Sequence, residues 1–422
     1  MSEGEEMLQE LVVVGYGTMK KSDVTGAISS VKSTDLANRS TSNAAAALQG
    51  KVSGVQVINN SGAPGQAPTI RVRGYSSNGK SDPLYIVDGL KVADIGYLDA
   101  ENIESMEVLK DAASAAIYGA EAGNGVILIT TKSGKKGDGK INFSSQFSIT
   151  SLAKKAKVLN AADYIQYETE ANSSFKDLLD KYYYNEASAT INGKLADTDW
   201  QDEVYEHGHR QRYNVSFEGG NDNGNLFVSL GYQNNNGIVR YNSDTFEQFN
   251  AQVKGSYNIK KWLEIGTTIS MEKNTTRALD EGSYLYSPTA KILNLDPLTP
   301  FEYSGGLTGA STWVQSAYAA GLKPVVNSHT GEYYGVSAFS GMQNPIAGLE
   351  KNDEKTTNQR TNGTFYLNFK PIKNLVFTSR FGFRMADVNY YRYLNGGYIS
   401  FDQTSYEDRL EEKKTIDRYY QW

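Results

Sequence analysis

From about residue 140 onward, apolar and polar residues alternate with a period of two, and this pattern constrains the fold more than any other feature. In the segment INFSSQFSIT, one face of a strand would carry Ile141, Phe143, Phe147 and Ile149, and the other only polar residues. Further segments with this alternation lie at 213–217, 226–232, 249–257, 263–269, 365–369 and 375–383. We therefore predict a series of antiparallel strands, each with one apolar and one polar face.

The connections between these strands distinguish a membrane barrel from a soluble β-sandwich, since both contain such strands. Tight turns at NDNG, NIKK and PIKN alternate strictly with longer connections at 151–210, 234–244 and 272–362. Short inner turns and long outer loops are typical of a barrel that crosses the outer membrane. Several segments also run to ten residues or more, which is about the length a tilted strand needs to cross a bilayer.

The chain is expected to contain only part of such a barrel. It supplies about seven complete strands, fewer than the roughly eight strands of the smallest barrels. The final segment, TIDRYYQW, has the pattern of a strand that is cut partway. The predicted fold class is therefore an α+β domain followed by an incomplete antiparallel transmembrane β-barrel.

Composition excludes several other classes of protein. The 422 residues carry a formal net charge of −6 and no cysteine, so a disulfide framework is excluded and a nucleic-acid binder is disfavoured. No stretch of apolar residues is long enough for a membrane-spanning helix. The acidic start, MSEGEE, lacks the pattern of a secretory signal, which indicates an intracellular chain or a mature or truncated one.

Residues 26 to 136 predict a small α/β unit of short strands and helices separated by glycine-rich turns. Within it, Gly74 to Ser81 fits the phosphate-loop pattern G-x-x-x-x-G-K-S. That pattern binds phosphate only when a helix follows, and the residues that follow, DPLYIVDG, predict a strand bounded by a turn. We interpret the match as a polar connection, and a nucleotide-hydrolysing enzyme remains a third alternative.

Charged residues of this unit leave two interpretations open. Arg71 and Arg73 are two apart in TIRVRG, so in a strand both would lie on the same face, opposite Ile70 and Val72. That face is either solvated or docked against acidic groups on a surrounding wall. Lys110 and Asp111 raise the same choice, and an ion pair at a helix boundary is favoured for them.

Four stretches of the first third resemble, almost phrase by phrase, the plug domain of SusC/RagA-family TonB-dependent outer-membrane transporters. They are LQELVVVGYGTMKKSDVTGAISSV, LQGKVSGVQVINNSGAPGQAPTIRVRGYSS, PLYIVDG and IESMEVLKDAASAAIYGAEAGNGVILITTKSG. TDWQDEVYEHGHRQRYNVSFEGG, SLGYQNNNGIV and NPIAGLEKNDEKT resemble the start of that family's barrel. The resemblance implies an N-terminal tail at 1–17, a plug at 18–137 and the first strands of a barrel of roughly 22 strands at 138–422.

The resemblance also implies roles for particular residues. The TonB box, a segment that adds as a strand to the protein TonB, would comprise Leu8, Gln9, Glu10, Leu11, Val12, Val13 and Val14. That role would explain why this apolar strand has no evident partner in the chain; the alternative is an ordinary first strand of the plug. The latch between plug and barrel would comprise Arg71, Arg73, Lys110 and Asp111, and the plug motifs would include Gly65, Gly74, Asp88, Gly89, Tyr118, Gly119, Asn124 and Gly125.

The function implied is active import of a large nutrient, an oligosaccharide or a peptide, through the outer membrane. Its partners would be TonB with the ExbB-ExbD motor, a SusD-like surface lipoprotein, outer-membrane lipid and the nutrient, without nucleic acid. Family members also carry a signal peptide and often a small β-sandwich domain ahead of the TonB box, and neither is expected within these 422 residues. The alternatives are a passive surface-binding or adhesion protein built on a soluble β-sandwich, and a non-functional transporter fragment.

No enzymatic activity and no cofactor are expected. The chain offers no nucleophile with a plausible base, and the His207–x–His209 pair lacks the further ligands of a metal site, although calcium bound by loop carboxylates is left open. Substrate-stacking aromatic residues would lie in the long connections, at Tyr284, Tyr286, Trp313, Tyr333 and Tyr334, where exposed aromatics of a membrane rim are the commoner explanation.

Overall fold

The structure is a computed structural model that describes residues 11–14, 17–20, 28–33, 44–74, 81–111, 115–185, 190–191, 196–279, 287–397 and 407–422. These residues form an N-terminal hairpin, an α/β domain and one large antiparallel sheet. Within the described residues, no helix has the length and hydropathy needed to cross a membrane.

The N-terminal hairpin pairs β1 (Leu11–Val14) with β2 (Gly17–Lys20) in antiparallel register, so that Leu11 lies opposite Lys20. The prediction that this apolar strand has no partner within the chain is therefore wrong.

The α/β domain, which we call the plug, comprises the described residues 28–131. Its sheet contains β3 (Ile28–Lys32), β6 (Leu84–Val87), β7 (Leu90–Val92), β8 (Ile103–Leu109) and β9 (Val126–Thr131) in the order β3-β8-β9-β6-β7. Strand β6 runs parallel to β9 and all other pairs are antiparallel. A separate hairpin joins β4 (Val55–Ile58) to β5 (Thr69–Val72).

The hydrophobic core of the plug lies between this sheet, the β4–β5 hairpin and the short helix α1 (Ala44–Ala47). Ile103, Met106 and Ile127 are fully buried in it. Small alanines at 44, 45 and 47 let the helix lie close to the sheet, because each side chain occupies little space. A 3-10 helix at Ala100–Asn102 and a second at Ala116–Asn124 complete the domain.

The large sheet, which we call the wall, contains eight antiparallel strands in sequential order. They are β10 (Gly137–Thr150), β13 (Gly208–Gly220), β14 (Gly224–Asn236), β15 (Thr245–Lys260), β16 (Leu263–Arg277), β19 (Asn352–Ile372), β20 (Leu375–Leu394) and β21 (Arg409–Gln421). The last strand has 13 residues, begins at Arg409 ahead of TIDRYYQW and includes all of that segment except its final tryptophan.

The wall has its apolar face exposed and its polar face buried, which is the reverse of a sheet in a soluble protein. Large apolar side chains are exposed on its outer face, among them Phe143, Phe217, Leu230, Phe249 and Phe365. The opposite face is polar and buried, with Asn214, Ser229, Gln248, Ser270 and Asn362. An apolar outer band with a polar interior is the pattern of a transmembrane barrel, and the strands form one sheet rather than the two packed layers of a β-sandwich.

Connections between wall strands alternate in length as predicted. The short ones are 221–223, 261–262 and 373–374, and the long ones are 151–207, 237–244, 278–351 and 395–408. Connection 151–207 carries α2 (Ala161–Ala171), α3 (Phe175–Tyr183), β11 (Tyr184–Asn185), β12 (Thr190–Ile191) and α4 (Trp200–Val204). Connection 278–351 carries α5 (Pro288–Asn294), β17 (Glu302–Tyr303), α6 (Thr312–Ala319), β18 (Tyr333–Tyr334) and α7 (Pro345–Lys351).

Candidate functional site

The plug lies against the polar face of the wall, and three groups of charged and polar contacts join them. We call the three groups the Asp99, Asp94 and Asp88 contacts after the plug carboxylate at the centre of each. Because burying a charge is costly unless it is paired and hydrogen-bonded, such contacts favour one position of the plug against the wall.

The Asp99 contacts are the most deeply buried. Asp99 binds Arg212 of β13, and its second carboxylate oxygen accepts a hydrogen bond from Asn214 Nδ2 at 3.0 Å. The same residue caps the 3-10 helix that follows it, by accepting from the backbone N–H of Glu101 at 2.8 Å. One carboxylate therefore fixes a plug helix and two wall side chains at once.

Neighbouring residues of that helix extend these contacts along the wall. Glu101 accepts a hydrogen bond from Ser144 Oγ of β10 at 2.7 Å and lies 3.5 Å from Arg212. Asn102 Nδ2 donates to Ser229 Oγ of β14 at 2.7 Å, and both side chains are buried. The helix thus spans three adjacent wall strands.

The Asp94 contacts connect the plug with strands β15, β16 and β19. Asp94 accepts from Arg360 Nη1 at 2.8 Å, and Arg360 Nε lies 3.8 Å from Glu272. Glu272 is almost fully buried and accepts from Gln248 Nε2 at 2.7 Å. Gln248 also donates to the backbone carbonyl of Gly96 in the plug at 3.2 Å. The wall carboxylate is thus held in place by its neighbours while the arginine binds the plug.

The Asp88 contacts lie at the tip of the β6–β7 hairpin. Asp88 and Gly89 both have positive φ, 46° and 83°, which is the conformation of a two-residue type I′ turn. Asp88 accepts from Thr131 Oγ1 at 2.6 Å inside the plug and from Lys254 Nζ of β15 at 2.8 Å. The turn geometry therefore places the Asp88 carboxylate in contact with the wall.

Close backbone approaches accompany these polar contacts. A Cβ on Gly65 would lie 2.4 Å from Cδ2 of Phe246 on β15, and Gly65 has a φ of 76°. At the other side of the plug, Gln421 of β21 donates to the backbone carbonyl of Gly89 at 3.2 Å. The predicted plug motif residues Gly65, Asp88 and Gly89 therefore all lie where the plug meets the wall.

The other predicted plug motif residues act within the plug. Gly125, with a φ of 86°, caps the helix Ala116–Asn124 and lies against Val72. Asn124 Nδ2 donates to the carbonyl of Asp82 at 3.3 Å, and Tyr118 packs against a satellite core. Gly74 and Gly119 have positive φ but open space around them, so their backbone conformation is what requires glycine.

The predicted latch residues have their observed partners inside the plug. Arg71 binds Asp82 at 2.5 Å and Arg73 binds Asp111 at 2.6 Å. Lys110 donates to the hydroxyl groups of Ser29 and Ser53, so the ion pair predicted between Lys110 and Asp111 is wrong.

The prediction that both arginines share a strand face is also wrong. Strand β5 ends at Val72, and Arg73 adopts a φ of 59°, which turns the chain. Ile70 and Val72 are buried as predicted. A latch role for Arg71, Arg73, Lys110 and Asp111 stays a prediction.

The remaining sequence predictions concern the tail and the phosphate-loop pattern. Leu8, Gln9 and Glu10 of the predicted TonB box lie outside the described residues, whereas Leu11 to Val14 form β1. Residues 75–80 of the phosphate-loop pattern also lie outside them. Ser81 is followed by strand β6 rather than by a helix, so the N-terminal helix turn that binds phosphate does not follow.

The long connections pack together at the end of the wall opposite to the short turns. Trp200 Nε1 of connection 151–207 donates to the carbonyl of Asp296 in connection 278–351 at 2.9 Å. Tyr241 of connection 237–244 stacks on His329, with ring centroids 3.9 Å apart. Asp296 is buried, which raises the pKa of its carboxyl, and it accepts from Ser337 Oγ at 2.6 Å. Three connections thus form one outer cap.

Aromatic residues of the cap differ from the expectation. Tyr334 is fully buried against Phe301 rather than exposed, because connection 278–351 has a core of its own. Trp313 and Tyr333 are half-buried in a smaller cluster. Tyr284 and Tyr286 lie outside the described residues. Within the part of the chain that is described, no group of three or more His, Asp and Glu side chains is placed to bind a metal.

Sequence reasoning missed the wall residues that meet the plug. The alternation in the sequence indicates only that Arg212 and Lys254 lie on polar strand faces, and it singles out neither Glu272 nor Arg360. The signal that identifies them is a charged side chain in the middle of a predicted membrane-crossing strand, which is costly unless it faces the interior and has a partner. On the plug side, Asp94 and Asp99 gave no signal because acidic residues in loops are common.

Known proteins match both parts of the chain. Residues 20–126 match the TonB-dependent Receptor Plug Domain. The chain is 31% identical to TonB-dependent receptor SusC of Bacteroides thetaiotaomicron, across 100% of this chain and 40% of that protein. It is 33% identical to TonB-dependent receptor P3 of Formosa agariphila, across 89% of this chain and 34% of that protein. The chain therefore spans well under half the length of these relatives.

A solved structure has the same fold over nearly the whole chain. The RagAB peptide importer in its open-open state aligns with a TM-score of 0.77 and 23% identity, covering 97% of this chain and 46% of that one. The chain belongs to the SusC/RagA family of TonB-dependent transporters.

Proposed function

We propose that this chain supplies the plug and the first part of the barrel of an importer in the outer membrane, which takes up a large nutrient in a TonB-dependent manner. In the complete protein, we propose a tail at 1–17, a plug domain at 18–137 and the N-terminal part of the barrel with its long outer loops at 138–422. One observation carries the proposal: a folded plug occupies the polar side of a membrane-type wall and is attached to it by separable polar contacts. A plug attached in this way would close the barrel, and a force that separates the contacts would open it.

The connection between the tail and the plug supports this mechanism. The TonB box, Leu8 to Val14, would add as a strand to TonB, whose ExbB-ExbD motor supplies the pull. The tail leads to β3, which lies at the edge of the plug sheet and pairs only with β8 among the described strands. Force on the tail therefore reaches an edge strand before it reaches the Asp99, Asp94 and Asp88 contacts.

The nutrient is proposed to be an oligosaccharide or a peptide, delivered by a SusD-like surface lipoprotein that lies over the outer cap. The likeness to the RagAB peptide importer favours a two-protein assembly and a peptide, whereas the likeness to SusC supports the transporter class alone. Import requires no covalent chemistry, so we propose that the chain is not an enzyme.

The TonB box is tested with a peptide of residues 1–20 and the C-terminal domain of TonB, by calorimetry. Val12→Pro removes a backbone N–H from β1, whereas the matched control Ser2→Pro lies outside the box. We expect the first substitution to abolish binding and the second to leave it unchanged. Equal binding by both variant peptides would contradict the assignment.

Transport is tested in cells that make the complete gene product containing this chain. Uptake of labelled oligosaccharide and peptide mixtures is compared between the parent, Val12→Pro and Ser2→Pro. We expect Val12→Pro to lose uptake of one class of nutrient while the protein stays in the outer membrane at the parental level. Uptake that is unchanged in Val12→Pro, or independent of TonB, would overturn active import.

A further inference from the structure

The outer face of the wall has a recess where four strands carry paired residues of very different size. Leu226 of β14 lies opposite Gly255 of β15, which lies opposite Thr267 of β16, and Thr267 lies opposite Phe365 of β19. The two small residues are in the middle of this row and the two large ones are at its ends. Since adjacent strands are about 4.8 Å apart, the row spans about 14 Å across the sheet.

Residue pairs on either side of this row, in the direction of the strands, form the two ends of the recess. Towards the short turns, Tyr257 pairs with Ile265, and in the other direction Val253 pairs with Ile269. Tyr257, Ile265 and Val253 are exposed apolar side chains of the outer face. The resulting cavity has a volume of about 930 Å³, and glycines 219 and 224 widen it on the side of β13 and β14.

The lining of this cavity is mostly apolar, and its polar side chains are those of Asn221, Asn225, Ser256, Thr267 and the tyrosines at 257 and 366. Thr267 Oγ1 is buried and has no hydrogen-bond partner within the described residues. A buried hydroxyl group without a partner costs free energy, so the site favours a ligand that is mostly apolar and carries an acceptor oxygen.

A pair of lysines lies beyond the recess at the short-turn end. Lys260 and Lys261 are exposed at the turn between β15 and β16. Nearby Lys254 and Lys370 have carboxylate partners, whereas in the described part of the chain Lys260 and Lys261 form no ion pair. Trp262 beside them packs edge-on against Phe369, with centroids 5.7 Å apart. Aromatic and basic residues of this kind mark the level of lipid headgroups.

The spacing between the recess and the lysines matches one amphiphilic molecule. Lys260 lies opposite Leu263, and Leu263 is four residues from Thr267 on the same strand, a separation of about 13 Å. A lysine reaches back along the wall with its four-carbon stem. A phosphate bound by the lysines would therefore place the ester groups of its glycerol near Thr267 and the start of an acyl chain in the recess.

We propose that the recess is a binding site for one anionic glycerophospholipid of the periplasmic leaflet. The acyl chain fills the space over Gly255, the Thr267 hydroxyl group donates to an ester carbonyl, and Lys260 and Lys261 bind the phosphate. This inference rests on the proposed location of the chain in the outer membrane, where short turns face the periplasm. The site is separate from the plug contacts and the outer cap, so it would stabilise the wall rather than take part in transport.

The test uses the complete gene product, purified from outer membranes in detergent, with lipid counted by native mass spectrometry during titration with phosphatidylglycerol. Thr267→Phe fills the recess with a side chain that suits the lipid-facing surface. Ala251→Phe is the matched control, because Ala251 lies on the same outward face of β15, opposite Met271, outside the recess. Lys260→Gln with Lys261→Gln removes the phosphate partners, and Lys373→Gln on another short turn is its control.

We expect about one tightly retained phosphatidylglycerol in the parent and in Ala251→Phe. In Thr267→Phe, we expect the affinity to fall by about tenfold or more. Lys260→Gln with Lys261→Gln should bind phosphatidylglycerol less tightly than the parent. Its affinity for the lipid should also lose the dependence on salt concentration that we expect in the parent and in Lys373→Gln. Equal lipid retention by Thr267→Phe and Ala251→Phe would overturn the site.

Two other outcomes also test the proposed lipid site. Dimers that form without bound lipid and dissociate in Thr267→Phe would show that a second copy occupies the recess, which overturns the lipid site. Heat-modifiable electrophoretic mobility and the membrane fraction are recorded for every variant. Parent protein that is folded in the outer membrane but binds no phosphatidylglycerol overturns this inference alone, whereas protein absent from that membrane overturns the proposed function as well.

Discussion

Arg212 on the wall and Asp99 on the plug form an ion pair whose side chains are only 8% and 4% exposed. The sheet of the wall supplies one charge, and the cap of a plug helix supplies the other. A buried pair of this kind contributes little net stability when intact, but removing one partner leaves the other charge buried without compensation. This relationship makes the pair the most sensitive point of contact between plug and wall.

Asp99→Asn is therefore expected to weaken docking of the plug by about 3–5 kcal/mol. The expected readout is faster hydrogen exchange and proteolysis of residues 99–109 in the complete protein, while the wall keeps its mobility in gels. The control is Asp82→Asn, which neutralises a plug carboxylate that is 60% exposed and binds Arg71, and it should cost no more than about 1 kcal/mol. Equal protection in the two variants would contradict a docking role for Asp99.

Gly65→Ala is expected to destabilise the docked plug more than Gly54→Ala. Both glycines have positive φ, 76° and 72°, so both substitutions cost about 1–2 kcal/mol of backbone strain. Only at Gly65 would the new Cβ meet a wall side chain, Phe246, whereas the space around Gly54 is open. Crowding at Phe246 should add about 1–3 kcal/mol, measured as a lower urea concentration for release of the plug. Identical midpoints would show that plug and wall do not meet there.

Phe143→Arg and Asn142→Arg should behave oppositely although the residues are adjacent. Phe143 lies near the middle of β10 on the exposed apolar face, and Asn142 lies on the polar face. An arginine on the lipid-facing side at mid-membrane costs about 2–4 kcal/mol, whereas a polar lumen position tolerates it. Folding into lipid vesicles, followed by heat-modifiable mobility, should be impaired only for Phe143→Arg. Impairment of both, or of neither, would contradict the assignment of faces.

The connection 237–244 is expected to loosen as pH rises. Burial raises the pKa of the Asp244 carboxyl from 3.8 to about 6, opposed by hydrogen bonds from backbone N–H groups including that of Val239, and the negative charge of Glu206 adds to the rise. The folded loop thus binds the proton more tightly than the unfolded one. The stabilising contribution is fully present below pH 3.8 and is lost as pH rises through about 6.

The difference amounts to about 2 kcal/mol between pH 4 and pH 7. The measurement is amide exchange at Gly237 and Val239, corrected for the intrinsic effect of pH on exchange. Asp244→Asn, which does not titrate, should make the protection of both amides independent of pH in this range. A pH dependence that persists unchanged in Asp244→Asn would show that another group is responsible.

Local alternation of apolar and polar residues determined much of the wall. Side chains of a strand point alternately to its two faces, so Ile141, Phe143, Phe147 and Ile149 had to share one surface wherever the strand lay. Glycine and asparagine at the turns fixed where the chain reverses. The expectation of an exposed apolar band with short and long connections in alternation is confirmed by the wall.

Partners of individual charges could not be derived in this way. Arg71 and Arg73 looked equivalent in the sequence, yet the positive φ of Arg73 ends the strand and separates them, and both bind plug carboxylates. Leu11 to Val14 appeared unpartnered, yet Gly17 to Lys20 pair with them. A change in the backbone conformation of one residue changes which side chains meet, and the spacing of residues in the sequence does not reveal that change.

The sequence by itself determined the faces of the strands, the order of long and short connections and the presence of a turn at Asp88 and Gly89, because these depend on residues a few positions apart. Only the tertiary structure decided that Asp99 meets Arg212, that Asp94 meets Arg360 and that Gly255 and Thr267 form a recess. The two charge pairs are distant in the chain, and they meet because the plug is folded against the wall rather than through local conformational preference. Gly255 and Thr267 are closer in the chain, and the register between β15 and β16 places them side by side.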